Sequence, residues 1–282
     1  SCLSQKRCSL GRKSLYRRRI SKGLLSALSR IREVFPPLGA VQISQFIAGK
    51  RQNRTLRNVT FTPPDRPGFV TGLMAEAAHL ENISFSTFCS GGHPRRATEG
   101  AQQMVDSGAT GLVSFGISGG LDPSLHPGSL VVATMVITPE GDKIRTDSAW
   151  QNHIQKLTPG PLVIAGIAGS DHAITSPRAK SDLFAATGAA AVDMESHAVA
   201  RVATKTGVPF LALRAIADPA CRTVPVSAMG GLSPDGHTRI LAALGNLLLH
   251  PWELPDLLRL ALDTQKGLRS LRRVADSSFS SS

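Results

Sequence analysis

The chain has 282 residues, 41% of them apolar, enough to bury a substantial core in one large domain or two small ones. Its formal charge of +12 lies entirely in residues 1–65, where 14 Lys and Arg stand against two acids, Glu33 and Asp65; beyond them 18 cations meet 18 acids, so a cationic nucleic-acid face over the main body is excluded. Four cysteines (Cys2, Cys8, Cys89, Cys221) form neither a disulfide framework nor a metal spacing, which favours a reducing interior, and no uncharged apolar run approaches the roughly 18 residues of a membrane span.

The basic stretch Arg12, Lys13, Arg17, Arg18, Arg19, Lys22 and the cluster Lys50, Arg51, Arg54, Arg57 show no helical or strand period. Three readings suit them: an organellar targeting segment, an arm for nucleic acid or an anionic membrane, and a disordered or extraneous leader. The Thr62-Pro63-Pro64-Asp65-Arg66-Pro67 linker places a boundary near residue 66, giving a leader over 1–65 and a single α/β domain with C-terminal helices over 66–282. The first methionine, Met74, falls inside the first structured unit.

From residue 67 strands and helices alternate. Gly68–Gly72 reads as a buried strand and 73–81 as a helical turn or two carrying Glu76; Ile83–Cys89 is a second strand, and a helix runs from Pro94 to Ser107, stopped by Gly108. Gly111–Gly116 is a buried strand leading into Ile117-Ser118-Gly119-Gly120-Leu121, followed by strand-like runs at Leu130–Ile137 and Leu162–Ile167. Ser176-Pro177 is a good N-cap and first-turn pair for a helix to Thr187. Ala190–Met194 reads as a strand, Glu195–Thr206 as a helix closed by Gly207, and Pro209–Ile216 as the last strong strand; helices over 235–249 and from Glu253 to about Ala275 end the chain. The expected fold is a three-layer α/β/α architecture with a mixed central sheet, in which ligands gather beyond the carboxyl ends of strands.

Gly116-Ile117-Ser118-Gly119-Gly120 satisfies Gly-x-Ser-x-Gly, and Asp218 and His237 follow in the order of a hydrolase triad. The segment continues in turns (Leu121-Asp122-Pro123, His126-Pro127-Gly128) where a nucleophile elbow needs a helix, so the glycines suit close backbone approach to a ligand better than a serine nucleophile. Dinucleotide and P-loop patterns are absent. Three acids stand just after strands: Glu76, Glu195 of Asp193-Met194-Glu195, and Asp218. A carboxylate at a strand exit can hold two vicinal ribose hydroxyls; as plain residues, Glu195 would be a first-turn acid and Asp218 a solvated turn. His172, in the Gly169–Ile174 turn, lacks a second ligand at metal spacing, so no metal is expected.

Phe115–Leu121 (FGISGGL), the Gly169-Ser170-Asp171 turn, Val192-Asp193-Met194-Glu195, and Pro209 through Arg214-Ala215-Ile216-Ala217-Asp218 resemble the purine nucleoside phosphorylase and methylthioadenosine/S-adenosylhomocysteine nucleosidase superfamily. Within it, SFGISGGLDPSLHPG, VDMESHAVA and LALRAIADPA are most similar to the hopanoid-associated phosphorylase branch. The resemblance covers about residues 67–275 and offers no counterpart to 1–65. It implies cleavage of an adenine nucleoside, adenosylhopane first and methylthioadenosine or S-adenosylhomocysteine as the alternative.

It further implies Asp218 as the acid that protonates the purine, Glu76 as the group that helps activate water, and Glu195, next to Met194, as the ribose clamp. Ser118 and Gly119 would line the substrate, and backbone at Ala173 and Ile174 would receive the base. The family's usual aromatic near Ala173 is missing, leaving Phe115 or Phe210 to supply a stacking ring, and Ser196-His197 stand where relatives carry small residues. No cofactor is implied, but inorganic phosphate can replace water as acceptor; Ser90, Gly91, Arg95 and Arg96 are the candidate phosphate contacts, with the arginines otherwise a solvated helix face. The expected setting is a cytoplasmic homo-oligomer without nucleic-acid partners. A lipid-linked substrate would add transient contact with a membrane surface, and the leucine-rich C-terminal helices (Leu247–Leu249, Leu254, Leu257, Leu258, Leu260) would cover the sheet or border the substrate's tail.

Overall fold

The computed structural model describes residues 62–279 except 82, 84–85, 230–235 and 237–250. The basic leader up to residue 61, the expected helix over 235–249, Leu247–Leu249 and His237 therefore lie outside the described residues. The chain runs β1 (Pro67–Thr71), α1 (Met74–Ala77), a 3-10 turn, β2 (Ser86–Cys89), α2 (Pro94–Asp106), β3 (Gly111–Gly120), β4 (Leu130–Ile137), β5 (Lys143–Arg145), α3 (Ser148–Leu157), β6 (Leu162–Gly169), α4 (Pro177–Thr187), β7 (Ala191–Asp193), α5 (Ser196–Thr206), β8 (Phe210–Asp218), α6 (Val226–Met229), a second 3-10 turn and α7 (Leu254–Ser278).

The strands form one mixed sheet in the order β2-β1-β3-β7-β6-β4-β5, with β8 paired to both β3 and β4. β3–β8 and β4–β6 are parallel, whereas β4–β8 and β3–β7 are antiparallel. The pairs β3–β8, β8–β4, β4–β6, β6–β7 and β7–β3 close a ring of five strands, with β1 and β2 as a flank on β3 and β5 as a short edge on β4. The mixed sheet follows from the alternating pattern; the closure depends on β8 pairing along both edges, which no local pattern reveals.

Side chains alternate across the strands with period two and sort into two layers. Leu112, Val131, Phe210 and Ala212 face α2 and α5, which contribute Ala97, Ala101, Met104, Val199, Val202 and Ala203. Val113, Phe115, Val132, Leu211 and Leu213 face α3 and α7, with Trp150, Ile154, Leu271 and Val274. Phe69 meets Phe115 and Phe279 edge-on at 6.2 and 5.0 Å between ring centroids. A third cluster, Leu121, Ile137, Ala168, Ala189 and Val192, gathers around the β6–β7 end of the ring.

The N-cap expected at Ser176 is present, its Oγ accepting from Ala179 N at 3.2 Å. α3 and β5 arise from 138–161, where the sequence shows no strong period; Asp147 caps α3 by accepting from Trp150 N at 2.8 Å, and Trp150 is the buried anchor that makes this short helix worthwhile. The strand expected from Ile83 begins only at Ser86, while Gly111–Gly120 is one continuous strand through the serine motif rather than strand followed by turn. Among the described residues no helix is long and apolar enough to cross a membrane.

Leu213 is fully buried between β3, β4 and the α7 layer. Leu213→Ala should lower unfolding free energy by about 2–5 kcal/mol in urea titrations, whereas a loss below about 1 kcal/mol would mean that this layer is loosely packed.

Candidate functional site

β8 is buried along its whole length yet carries a cation at its middle. A guanidinium there must be paired, because an isolated charge in an apolar layer is prohibitively costly. Arg214 is 1% exposed; its Nε donates to Asp193 Oδ2 (2.5 Å), its Nη2 to Ser114 Oγ (2.7 Å) and Glu195 Oε2 (3.4 Å), and its Nη1 to Leu213 O (3.3 Å). Asp193, the last residue of β7, uses Oδ1 to accept from Glu195 N (3.1 Å) and Ser196 N (2.8 Å), while its Oδ2 also accepts from Ser196 Oγ. One aspartate thus fastens the arginine and the start of α5 together. Burial opposes the Arg214 charge, but Asp193, Glu195 and Glu76 outweigh it and hold the guanidinium pKa above its ordinary value.

Glu195 occupies the N-cap position of α5 without capping it and points into the sheet. Burial pushes its carboxyl up to about 8, helped by Asp193 and Glu76 and opposed by Arg214. Glu76 is also buried: Oε2 accepts from Gly72 N (2.8 Å) and Leu73 N (2.9 Å), and Oε1 from Ile117 N (2.8 Å) on β3. Burial raises its pKa, with the Ile117 amide, Arg214 and the Leu73 and Gly72 amides pulling the other way. A Cβ on Gly72 would lie 2.7 Å from Glu195 Oε1 and 3.6 Å from Glu76 Oε2, so the two carboxylates meet over a glycine that leaves room for them. A Cβ on Gly116 would lie 2.7 Å from both Glu76 oxygens.

Asp218 closes β8, three residues further along β3: a Cβ on Gly119 would stand 3.7 Å from its Oδ2. Three residues of strand span roughly 10 Å, so β3 and β8 separate the Glu76–Glu195 pair from Asp218 by about the length of a nucleoside. Burial raises the Asp218 pKa, with Lys180 and then Arg222 pulling it back. Lys180, on α4 and completely buried, donates to Asp218 Oδ2 at 2.5 Å.

The remaining candidates divide. Ser118 Oγ and Ser90 Oγ are buried with no hydrogen-bond partner, and Gly91 and Gly92 both have left-handed backbone (φ 70° and 76°), placing a turn of small residues beside Glu195, 3.8 Å from a Cβ at Gly92. Arg95 is almost fully exposed and pairs with Glu99 at 3.0 Å, while Arg96 donates to Cys89 O (3.3 Å), next to the Ser90 turn, and lies 5.9 Å from the Phe88 ring centroid. Met194, Ala173 and Ile174 are half-buried; the turn holding the latter two is tied to β7 by Ser170 N to Asp193 O (2.8 Å) and folded by Ser170 Oγ to His172 O (2.6 Å). Phe115 and Phe210 sit in opposite core layers at 0% and 4% exposure, so neither supplies the stacking ring expected of it. Because β3 runs straight through Ser118, there is no nucleophile elbow.

Arg214, Asp193 and Lys180 are the members of the site that residue-by-residue reasoning leaves without a role. A cation inside the otherwise apolar run Pro209–Ile216 is a signal, since it demands a buried partner; Lys180 has none, because a lysine one turn into a helix ordinarily faces solvent.

Since the folded-state pKa of Glu195 lies above the ordinary carboxylate value, the stability linked to this group is fully present below about pH 4.5 and is lost as the pH rises through about 8. Wild-type protein should therefore lose stability between those limits, and Glu195→Gln should lose less of it; paired denaturant titrations at each end of the range read the difference. An equal loss in both proteins would remove Glu195 as its source.

The Phosphorylase superfamily model matches residues 83–231, just over half of the chain. A curated futalosine hydrolase from Streptomyces coelicolor is 35% identical over 126 residues, 38% of this chain and 53% of that protein, so the chain spans about half the length of the curated relative it matches. Among solved structures, futalosine hydrolase of Helicobacter pylori strain 26695 aligns with a TM-score of 0.55 at 18% identity over 75% of this chain and 97% of its own. A 5′-methylthioadenosine/S-adenosylhomocysteine nucleosidase of the same species gives 0.55 at 19% identity with the same coverage, and one from Colwellia psychrerythraea in complex with adenine gives 0.53 at 20% identity over 66% and 97%. The structural likenesses concern the fold. With the family match covering the site strands from β2 to β8, the chain belongs to the Phosphorylase superfamily.

Proposed function

We propose that this chain cleaves the N-glycosidic bond of an adenine nucleoside, with water as acceptor. The observation that carries this reading is the placement of acids three residues apart along β3: a carboxyl pair where a sugar would become cationic, and a separate carboxyl where the base would leave. Breaking such a bond develops positive charge on the ribose and negative charge on the purine, an oxocarbenium-like pattern. In the proposed reaction C1′–N9 breaks, the water oxygen bonds to C1′, the water's proton goes to Glu76, and Asp218 gives its proton to N7 of the leaving purine. Glu195 holds the ribose hydroxyls; burial keeps its carboxyl protonated up to about pH 8, and the positive charge that develops on the ring favours its ionised form and so strengthens the hold.

Water is favoured over phosphate on electrostatic grounds. The amides of Gly72, Leu73 and Ile117, which could bind an anion, already serve Glu76, and Arg214 is committed to Asp193 and Glu195. A phosphate dianion beside two buried carboxylates would meet repulsion. The names of the similar proteins, a futalosine hydrolase and nucleosidases, point the same way.

For the substrate, we take adenosylhopane as the first reading and a small thioether-bearing adenine nucleoside as the second. An open pocket of ≈ 260 Å³ adjoins the α1 turn that carries Glu76; Met74, Ala77, Leu80, Ile83 and Cys89 give it an apolar wall that suits a nonpolar substituent on the sugar, and Glu81 and Thr87 a polar one. On the outer face of α7, Leu254, Leu258 and Leu262 are exposed beside Arg259, which supports transient contact with a membrane surface.

Adenine release from adenosylhopane and methylthioadenosine, each with and without phosphate, checks substrate and acceptor together. The expected result is release independent of phosphate and fastest with adenosylhopane; a phosphate requirement would overturn the hydrolytic reading, and faster turnover of methylthioadenosine the hopanoid one.

Asp218→Asn should lose about 10²- to 10⁴-fold in kcat with little change in KM, because Asn can hold the base but has no proton to give. Glu195→Gln should impair both, because an amide cannot accept from both ribose hydroxyls and cannot ionise as the ring becomes cationic. A nucleoside with a good leaving group should restore much of the Asp218→Asn rate and little of the Glu195→Gln rate; equal rescue of the two would refute this division of roles.

A further inference from the structure

α4 spans Pro177–Thr187 on the surface of the domain, and Lys180 is its one buried residue; the other side chains of the helix are exposed or half-covered. A helix that buries a lysine where an apolar residue would serve the layer better calls for an explanation, since an ammonium in a dry site is stable only when its donors are all satisfied. Here they are. Nζ donates to Asp218 Oδ2 (2.5 Å), Pro219 O (3.0 Å) and Arg222 O (2.9 Å), which accounts for all three N–H bonds of the ammonium.

Two consequences follow from that geometry. The first is orientation. Asp218 lies at the exit of β8, where the backbone leaves the sheet, and Lys180 grips both its carboxylate and two carbonyls of the turn that follows, itself closed by Arg222 N to Pro219 O at 3.1 Å. Val224 N to Thr175 O (2.9 Å) ties the same loop to the residue before the Ser176 cap of α4. With Oδ2 taken by the lysine, Oδ1 is the oxygen left to face a ligand. The second is charge. Among the described residues, the ionisable groups facing Asp218 are Lys180 from α4 and Arg222 from its own loop, and Arg222 is engaged with Asp263 on α7. Lys180 is therefore the near, dry, permanent partner of this carboxyl.

Resting on the reading of Asp218 as the leaving-group acid, we propose that Lys180 is the positioning residue of that acid: it fixes the Asp218 rotamer through Oδ2, anchors the β8 exit loop, and sets how readily the carboxyl parts with a proton. Burial raises the Asp218 pKa and weakens it as an acid; the adjacent ammonium pulls the pKa back and strengthens it as a donor.

The test uses the full chain and four variants: Lys180→Met, Lys180→Arg, Asp218→Asn and the double variant Lys180→Met/Asp218→Asn. Lys180→Met should lower kcat about a hundredfold with KM little changed, and it should move the alkaline limb of the pH–rate profile upward, since burial then acts on Asp218 unopposed. Lys180→Arg keeps the charge but cannot place a planar fork on the same three acceptors, so kcat should fall while the limb stays. The double variant should be no slower than Asp218→Asn, because the lysine acts through that carboxyl. A merely structural lysine would give additive losses and an unmoved limb, and either result overturns the proposal.

Titration of the Asp218 side-chain carboxyl by carbon NMR, assigned with Asp218→Asn, reads the same upward shift in Lys180→Met without any turnover. Should Lys180→Met not fold, wild-type kcat in Lys180→Arg would by itself defeat the orienting role. Full activity in Asp218→Asn would instead refute the functional reading, and an unshifted carboxyl in a folded Lys180→Met would refute the lysine's role whatever the reaction.

Discussion

The structure turns on one ion pair in the middle of its sheet. Arg214 comes from β8, Asp193 from the end of β7, and the two bond directly across β3, where Ser114 Oγ accepts a second hydrogen bond from the guanidinium. Without the aspartate, a guanidinium could not sit in the centre of a strand whose neighbours are all apolar. Without the arginine, Asp193, Glu195 and Glu76 would crowd three negative groups into a dry space. The pair therefore makes room for the acids that face the ligand side. It also binds the start of α5 to β7, so the geometry of Glu195 is decided by the same contacts that hold its neighbour.

The two ends of the site use this principle differently. At the Gly72 end, a single cation is shared among several carboxyls, and Glu195 responds by holding its proton to about pH 8. At the Asp218 end, one cation serves one carboxyl, and that cation spends its other donors on backbone. The first arrangement suits a place where positive charge appears on the ligand, since carboxyls short of counter-charge gain most from it. The second suits a carboxyl that must release a proton and recover it.

Much of this was legible in the sequence, for reasons that can be named. Glu76, Glu195 and Asp218 each follow an apolar run, and strand exits are where covered sheets gather ligands, so period and position pointed to them. Ser176-Pro177 and Gly207 set their helix ends through local chemistry, and both ends are where that chemistry requires. What was not legible depends on contacts far apart in the chain. The pairing of β8 with β3 and β4 joins segments about a hundred residues apart, and Lys180 reaches across 38 residues to Asp218. The arginines of α2 show the limit of proximity in sequence: both stand near the Ser90 turn, but the helix turns Arg95 to solvent, where Glu99 satisfies it locally, and sends Arg96 back to Cys89 O beside that turn. Phe115 and Phe210 were plausible as stacking rings only until their strands were seen to be covered on both faces.

The closed ring of β3, β8, β4, β6 and β7 bears on how firmly the two halves of the site are held. Every strand of the ring is paired on both sides, so spreading any two of them apart means breaking a ladder at the centre of the protein. Asp218 and the Asp193–Glu195 corner belong to that ring. Glu76 does not: it stands on the short α1 turn after β1, on the flank formed by β1 and β2. The site is thus assembled from strands locked in the ring and a flank outside it, and of the three amide bonds that hold Glu76 only the one from Ile117 crosses from ring to flank, so a single hydrogen bond sets that carboxyl against the ring while the other two fold its own turn.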